Sequence, residues 1–344
     1  MMTCTFPPGI THRLPFQSTR QVEDKSAVSD IAPVDTVTTG KGFSLRDDRK
    51  KPIIIGHRGA ASLAPENTLA SFKKAWEKGA EMVELDVHRT KDGHLVVIHD
   101  DNVDRTTDGK GLVKNLTLKE IKAFDAGSWF SYEFKGEKVP TLEEVMDWSR
   151  GKIYLDIEVK SSTQYPGIEK DIAELIEKKK MEKDVIVTSF DPGCIKKLEK
   201  LNDEISSGAL LAPAPLLGAP IGAGIGLAGG LLAGLSPVAS VGLALLGGLA
   251  GLFISRNMSA DFVIGQSGNR TADIFLPHWT AVSGKMVREA HQRGTFVFAW
   301  TARKPKWIYR MLSRSGIDGI ITDNPERFSD QNQTASPSLC NTKA

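Results

Sequence analysis

Eight short apolar runs, most of them separated by stretches of helical period, limit what this chain can fold into more than any other feature. They stand at Ile53, Met82, Ile153, Val185, Ser207, Ile274, Phe296 and Gly319. The first, Ile53-Ile54-Ile55-Gly56, is continuously apolar, the mark of a strand buried on both faces. Helical patterns fall at 69–78, where Phe72, Ala75 and Trp76 form an apolar face and Gly79 ends the run, and at 169–180, 192–201, 284–293 and 305–315. A capped helix is expected over 141–149. Strands alternating with helices at this spacing predict a parallel sheet, and eight of them predict a closed (β/α)8 TIM barrel.

The second run carries chemistry. Glu84 and Asp86 flank Leu85, and alternate side chains of a strand share a face, so the two acids point the same way. Neighbouring carboxylates repel and stay ionised together cheaply only around a cation, and oxygen pairs suit Mg²⁺ or Ca²⁺. A Lys91-Asp92-Gly93 turn follows, and a second apolar run delivers His99. With Asp92-Gly93 as the hairpin turn, equal steps outward set His99 roughly opposite Asp86. Taken alone, this segment is explained equally well as a surface hairpin with solvated charges.

The rest of the barrel pattern decides between these readings. Asp156, Glu158 and Lys160 share one face of the strand over 153–160, and in a barrel that face is the interior, where unpaired charge is costly. Glu158 and Lys160 are therefore functional candidates. His57 and Arg58 leave the first strand at Gly59, well placed to meet an anion. His57, Arg58, Glu84, Asp86, Glu158, Lys160 and Trp300 all fall at carboxyl ends of the expected strands, where such barrels place their sites. The region 101–150 is an insertion after the second strand, with aromatics at Trp129, Phe130, Tyr132 and Phe134. It is expected to form a lid or pocket wall, or equally a satellite aromatic cluster. His88, His94, His278 and His291 are expected to be structural or exposed, His278 being the nearest of them to a strand end.

Charge excludes one class of partner. With 44 basic and 42 acidic residues the net charge is +2, and no basic stripe with interleaved aromatics marks a nucleic-acid surface. Three scattered cysteines, Cys4, Cys194 and Cys340, suggest neither a disulfide framework nor a Cys-x-x-Cys site, so a reducing compartment is expected. Residues 1–50 are rich in Ser, Thr, Pro and Asp and are expected to be a mostly disordered extension without a secretory signal. Residues 331–344 are expected to be a flexible tail, leaving 51–330 as the barrel domain.

At this level the residues resemble a known family. His57-Arg58-Gly59, Pro65-Glu66-Asn67-Thr68, Glu84-Leu85-Asp86 with Thr90-Lys91-Asp92-Gly93, Val97-Ile98-His99-Asp100, Glu158-Val159-Lys160, Phe298-Ala299-Trp300-Thr301 and Thr322-Asp323-Asn324-Pro325 look like the signature series of glycerophosphodiester phosphodiesterases. The match runs in the family's order from Ile53 to Phe328, with Val159 where isoleucine is frequent and with one large insertion. The resemblance implies a metal-dependent hydrolase that splits glycerophosphodiesters into glycerol 3-phosphate and an alcohol. It further implies Glu84, Asp86 and Glu158 as metal ligands, His57 and His99 as an acid/base pair, Arg58 and Lys160 as phosphate holders, and Trp300 as a wall of the glycerol pocket.

The insertion is unlike a barrel loop. Between Glu204 and Arg256 there is no charged residue and no Asn, Gln or His. Ser236-Pro237 divides it into two apolar arms, and Gly218, Gly222, Gly226, Gly230 and Gly234 make one stripe of small residues. Helices over 216–235 and 238–254 would span about 30 and 26 Å, against a hydrocarbon core of about 30 Å. A start at Pro220 would cut the first to roughly 24 Å. A membrane-embedded hairpin over 212–256 is thus expected in preference to a soluble glycine-rich flap. Flanking Lys196, Lys197, Lys200 and Arg256 put the catalytic domain on the cytoplasmic side. A tethered mouth leaves open a lysophospholipase D acting on lysophospholipids, and a non-catalytic membrane scaffold is the alternative outside enzymology. Nothing in the sequence indicates an oligomeric state.

Overall fold

The computed structural model describes Phe43 and residues 51–160, 163–211, 272–303 and 306–329. The apolar insertion over 212–256, the tail over 331–344 and all of 1–50 except Phe43 lie outside the described residues.

Eight parallel strands close a barrel. In chain order, β1 (Ile53–Gly56) is followed by α1 (Leu69–Glu77), β2 (Met82–Arg89), β3 (Leu95–Val97), α2 (Leu118–Ala123), α3 (Leu142–Ser149), β4 (Tyr154–Val159), α4 (Ile168–Lys179) and β5 (Val185–Ser189). Next come α5 (Pro192–Leu201), β6 (Ser207–Leu210), β7 (Ile274–Leu276), α6 (Gly284–His291), β8 (Phe296–Ala299), α7 (Lys306–Arg314), β9 (Gly319–Thr322) and α8 (Glu326–Ser329). The strand order is β1-β9-β8-β7-β6-β5-β4-β2, and parallel pairing of β1 with β2 closes the ring. The antiparallel β3 hangs on the end of β2, beyond the closed ring. The expected (β/α)8 class is therefore the observed one.

Apolar residues sort into layers as strand alternation requires. Ile53, Ile55, Met82, Ile186, Ile274, Phe296 and Phe298 fill the barrel interior. Between the strands and the outer helices lie two further clusters, one around Phe72, Leu85, Ile157 and Ile172, the other around Ile54, Val297, Leu312 and Ile320. Phe43 is fully buried in the interior group, edge-on to Tyr154 at 5.3 Å and to Phe296 at 6.4 Å. Both neighbours begin their strands, so this ring plugs the amino-terminal end.

The hairpin register differs from the sequence count by one residue. Val87 pairs with Val97 and the Ile98 amide donates to the Asp86 carbonyl, so Ile98, not His99, lies opposite Asp86. The reason is the loop. Thr90 and His94 close it around Lys91, Asp92 and Gly93, three residues rather than two, with Gly93 at φ 89° in the left-handed region. Beyond Val97 the chain leaves the strand, and His99 reaches the mouth from a loop.

The chain after β3 packs against Val96 and Ile98 in a small core with Val103, Val113, Ile121, Ala126 and Val139. Trp129, Phe130 and Phe134 pack edge to edge on one another, and Tyr132 is exposed. These rings form the satellite cluster, and none of them lines the cavity at the barrel mouth.

Candidate active site at the barrel mouth

Register between β2 and β4 creates an acidic patch inside the barrel. Glu84 is aligned with Asp156 and Asp86 with Glu158, and all four side chains are buried. Oxygens of Glu84, Asp86 and Glu158 lie within 4.8 Å of one another. Two cations partly balance them. Lys160 Nζ stands 2.8 Å from Asp86 Oδ1 and 2.7 Å from Glu158 Oε1, and Arg58 Nε stands 3.4 Å from Asp86 Oδ2.

These surroundings separate the acids. Burial opposes ionisation of Asp86, but the charges of Lys160 and Arg58 outweigh it and hold this carboxyl well below the usual range. Glu84 is pushed well up by burial and then by Asp86 and Glu158. Burial raises Glu158 to about 7 and Asp156 to about 8. Glu84 Oε2 accepts from the Arg58 amide at 2.8 Å, whereas its buried Oε1 has no hydrogen-bond partner. An orphaned carboxylate oxygen, hard oxygen donors and acids that hold protons in the absence of a counter-charge all fit a divalent cation at this triad. Glu84, Asp86 and Glu158 are the residues that would hold it.

Backbone geometry at the end of β1 aims the Arg58 amide at Glu84. Arg58 has φ 52°, a conformation that costs a non-glycine residue energy unless its surroundings enforce it. Its carbonyl accepts from the Asn67 amide and the Ser71 hydroxyl, which pins the turn. At Gly59, φ 86°, a Cβ would fall 2.6 Å from the Ser71 carbonyl carbon, so only glycine lets α1 approach. Asn67 donates Nδ2 to Asp86 Oδ2 at 2.7 Å and receives the Asp86 amide on Oδ1, fixing that carboxylate.

Each histidine is anchored through Nδ1. His57 Nδ1 meets Asp323 Oδ1 at 2.5 Å and His99 Nδ1 meets Asp100 Oδ1 at 2.7 Å. With a carboxylate at Nδ1, each ring donates its Nδ1–H there and keeps Nε2 as the nitrogen for proton exchange, that of His57 lying 3.9 Å from Glu84 Oε2. Burial, with the charges of Lys160 and Arg58, lowers the His99 pKa although Asp86 opposes this, so the ring is neutral near pH 7. Both rings line one cavity of about 100 Å³, together with Arg58, Glu84, Glu158, Lys160 and Trp300.

All eight residues singled out in the sequence thus contribute to this mouth. Asp86 does so without lining the cavity, by holding Lys160, Asn67 and Arg58. Trp300 stands edge-on to Phe190 at 5.4 Å, and its indole donates to the Leu276 carbonyl. His278 packs on Trp300 and bonds Thr280, outside the cavity lining. His88 is buried and structural, between the Tyr165 hydroxyl and the His99 carbonyl. The site also uses Asp156, Thr188, Asp100 and Asp323, to which the sequence reading gave no role. Asp156 could have been found, since it shares the face of Glu158.

A closed (β/α)8 barrel with paired acids, anchored imidazoles and two cations at its carboxyl mouth belongs to the barrel enzymes. Comparison narrows the class. Residues 57–221 and 257–327 match the model of the glycerophosphoryl diester phosphodiesterase family. A glycerophosphodiester phosphodiesterase of Caldanaerobacter subterraneus subsp. tengcongensis is 35% identical over 278 residues, covering 80% of this chain and 96% of that protein. A putative glycerophosphodiester phosphodiesterase of Bacillus subtilis is 34% identical over 273 residues, covering 79% and 95%. Among solved structures, a glycerophosphodiester phosphodiesterase of Agrobacterium tumefaciens superposes with TM-score 0.61 at 26% identity, over 81% of this chain and 99% of that one. An Oleispira antarctica phosphodiesterase, solved in complex with the product sn-glycerol-3-phosphate, shares the fold with TM-score 0.60 at 24% identity, over 83% and 98%. The chain belongs to the glycerophosphoryl diester phosphodiesterase family and is, by that membership, a phosphoric diester hydrolase.

Proposed function

We propose that this protein hydrolyses glycerophosphodiesters to glycerol 3-phosphate and an alcohol, using Mg²⁺ or Ca²⁺ held by Glu84, Asp86 and Glu158. The observation that carries the reading is the pair of Nδ1-anchored imidazoles facing one cavity beside three converging carboxylates. A phosphodiester monoanion resists attack, so its oxygens need positive charge, which Arg58 and Lys160 supply. A bound divalent cation adds Lewis-acid polarisation of the phosphoryl oxygen.

One imidazole Nε2 takes the proton of the glycerol 2-hydroxyl as that oxygen bonds to phosphorus, closing a cyclic phosphate. The other imidazole, in its protonated form, gives a proton to the departing alcohol oxygen as the old P–O bond breaks. Roles reverse in the second half. The first, now protonated, protonates the 2-oxygen, while the second deprotonates the water that opens the ring. Asp323 and Asp100 keep the rings oriented and stabilise each imidazolium as it forms. Trp300 walls the glycerol side of the cavity.

The test is turnover of sn-glycero-3-phosphocholine with and without EDTA, beside lysophosphatidylcholine as the competing substrate. Wild type should cleave the water-soluble diester only with cation present, and His99→Ala should lose at least about 100-fold. A His99→Ala variant within a few-fold of wild type would remove the acid/base assignment.

The uncharged insertion is proposed to tether the catalytic domain to the cytoplasmic face of a membrane. Its support is the sequence over 212–256, since among the described residues no helix is long and apolar enough to cross a bilayer. Carbonate extraction should retain the full chain with membranes and release a deletion of 212–256. Equal release of both would contradict the tether.

A further inference from the structure

Arg105 stands on the excursion after β3, outside every segment from which the catalytic roles were assigned, yet its guanidinium joins two of them. Its Nε and Nη2 meet Asp100 Oδ2 and Oδ1 at 2.8 and 3.0 Å. Its Nη1 and Nη2 meet Glu66 Oε2 and Oε1 at 2.9 and 2.8 Å. Each of those carboxylates has a second client. Asp100 Oδ1 also holds His99 Nδ1 at 2.7 Å, and Glu66 Oε1 also holds Arg58 Nη1 at 2.8 Å. A planar guanidinium can grip two carboxylates along two edges at once, which no other side chain does.

We propose that Arg105 is a positioning residue that sets His99 and Arg58 relative to each other through Asp100 and Glu66. The inference rests on the phosphodiesterase reading above and extends it, because it makes the excursion part of the catalytic frame. Without the guanidinium, two carboxylates drawn to one place lose their shared cation and repel. Asp100 is then free to turn away from His99 Nδ1, and the ring loses its fixed tautomer. Glu66, mostly buried, keeps only Arg58 and draws it from the cavity. The other histidine is backed differently: Arg303 Nε meets Asp323 Oδ2 at 2.7 Å from a side chain that is 68% exposed. Lysine at 105 would restore charge but reach one carboxylate at a time.

The experiment uses the full chain with Mg²⁺ present, as wild type, Arg105→Ala, Arg105→Lys, Asp100→Asn and the Arg105→Ala/Asp100→Asn double variant. Two quantities are read: the ¹⁵N imidazole shifts of His99, and steady-state kinetics on sn-glycero-3-phosphocholine. Wild type should show the Nδ1-protonated ring, and Arg105→Ala a mixture of tautomers with kcat down about 10- to 100-fold. Arg105→Lys should recover only part of that loss. In the Asp100→Asn background, Arg105→Ala should cost clearly less than it does in wild type, because the His99 arm is already broken and only the Glu66–Arg58 arm remains to be lost. An unchanged His99 spectrum, a kcat within about twofold of wild type, or a loss that multiplies in full onto Asp100→Asn would overturn the proposal. Should Arg105→Ala fail to fold, Arg105→Lys is read by the same criteria. Absence of turnover in wild type would defeat the substrate assignment alone, since the imidazole spectrum still decides the role of Arg105.

Discussion

Asp156→Asn gives the sharpest energetic test of the buried acid patch. Asp156 is fully buried, Thr188 donates to its Oδ1 at 2.7 Å, and its Oδ2 has no partner. Burial raises its pKa from 3.8 to about 8, so the folded protein binds a proton there that the unfolded chain releases. A raised folded pKa contributes stability that is complete below the unfolded value and is lost as pH climbs to the folded one. At about 1.4 kcal/mol per pH unit, the interval from pH 6.5 to 8.0 should cost the cation-free wild type on the order of 2 kcal/mol through Asp156. The interval matters. Burial-lowered histidines such as His88, His99 and His278 act with the opposite sign, but only below about pH 6.5, where the unfolded imidazole still binds a proton. Glu84 and Glu158 titrate in both proteins and largely cancel in the difference. Asparagine keeps the Thr188 bond and cannot ionise. In EDTA, thermal melts at both pH values should therefore show wild type losing about 4–8 °C more than Asp156→Asn between pH 6.5 and 8.0. Parallel losses in the two proteins would refute the idea that a proton resides on Asp156.

Two further substitutions separate chemistry from architecture. Lys160→Met removes the ammonium that neutralises Asp86 and Glu158 and lines the cavity, so on the proposed mechanism kcat/KM on glycerophosphocholine should fall about 100- to 1000-fold, with fold retained by circular dichroism. A loss under about tenfold would exclude Lys160 from the charge frame. Gly59→Ala should cost stability instead, on the order of 2–4 kcal/mol, because a Cβ would meet Ser71 backbone at 2.6 Å and φ is 86°. An unchanged denaturation midpoint would show that the β1–α1 turn relaxes freely.

The strands were readable because each announces itself locally, by an apolar run and by alternation, and their number then dictates closure. The acids followed from the same alternation, since a charge on an interior face needs a reason to be there. What the sequence did not disclose is what depends on backbone conformation or distant loops. Whether the hairpin loop holds two or three residues turns on the left-handed Gly93, and that single residue decides what faces Asp86. The carboxylate behind His57 comes from Asp323, 266 positions away, and Arg105 meets Glu66 across 39 positions. No periodicity encodes those meetings. Phe43 was hidden for a different reason: one aromatic in a polar stretch has no pattern, although it plugs the barrel floor.

A cation held among Glu84, Asp86 and Glu158 is measured most directly by anomalous diffraction from a Mn²⁺-soaked crystal. A single strong peak should lie within about 2.0–2.6 Å of an oxygen from each of the three, beside His57 and His99. A peak elsewhere, or an acid patch that stays free of manganese while the crystal binds it at other sites, would contradict the assignment.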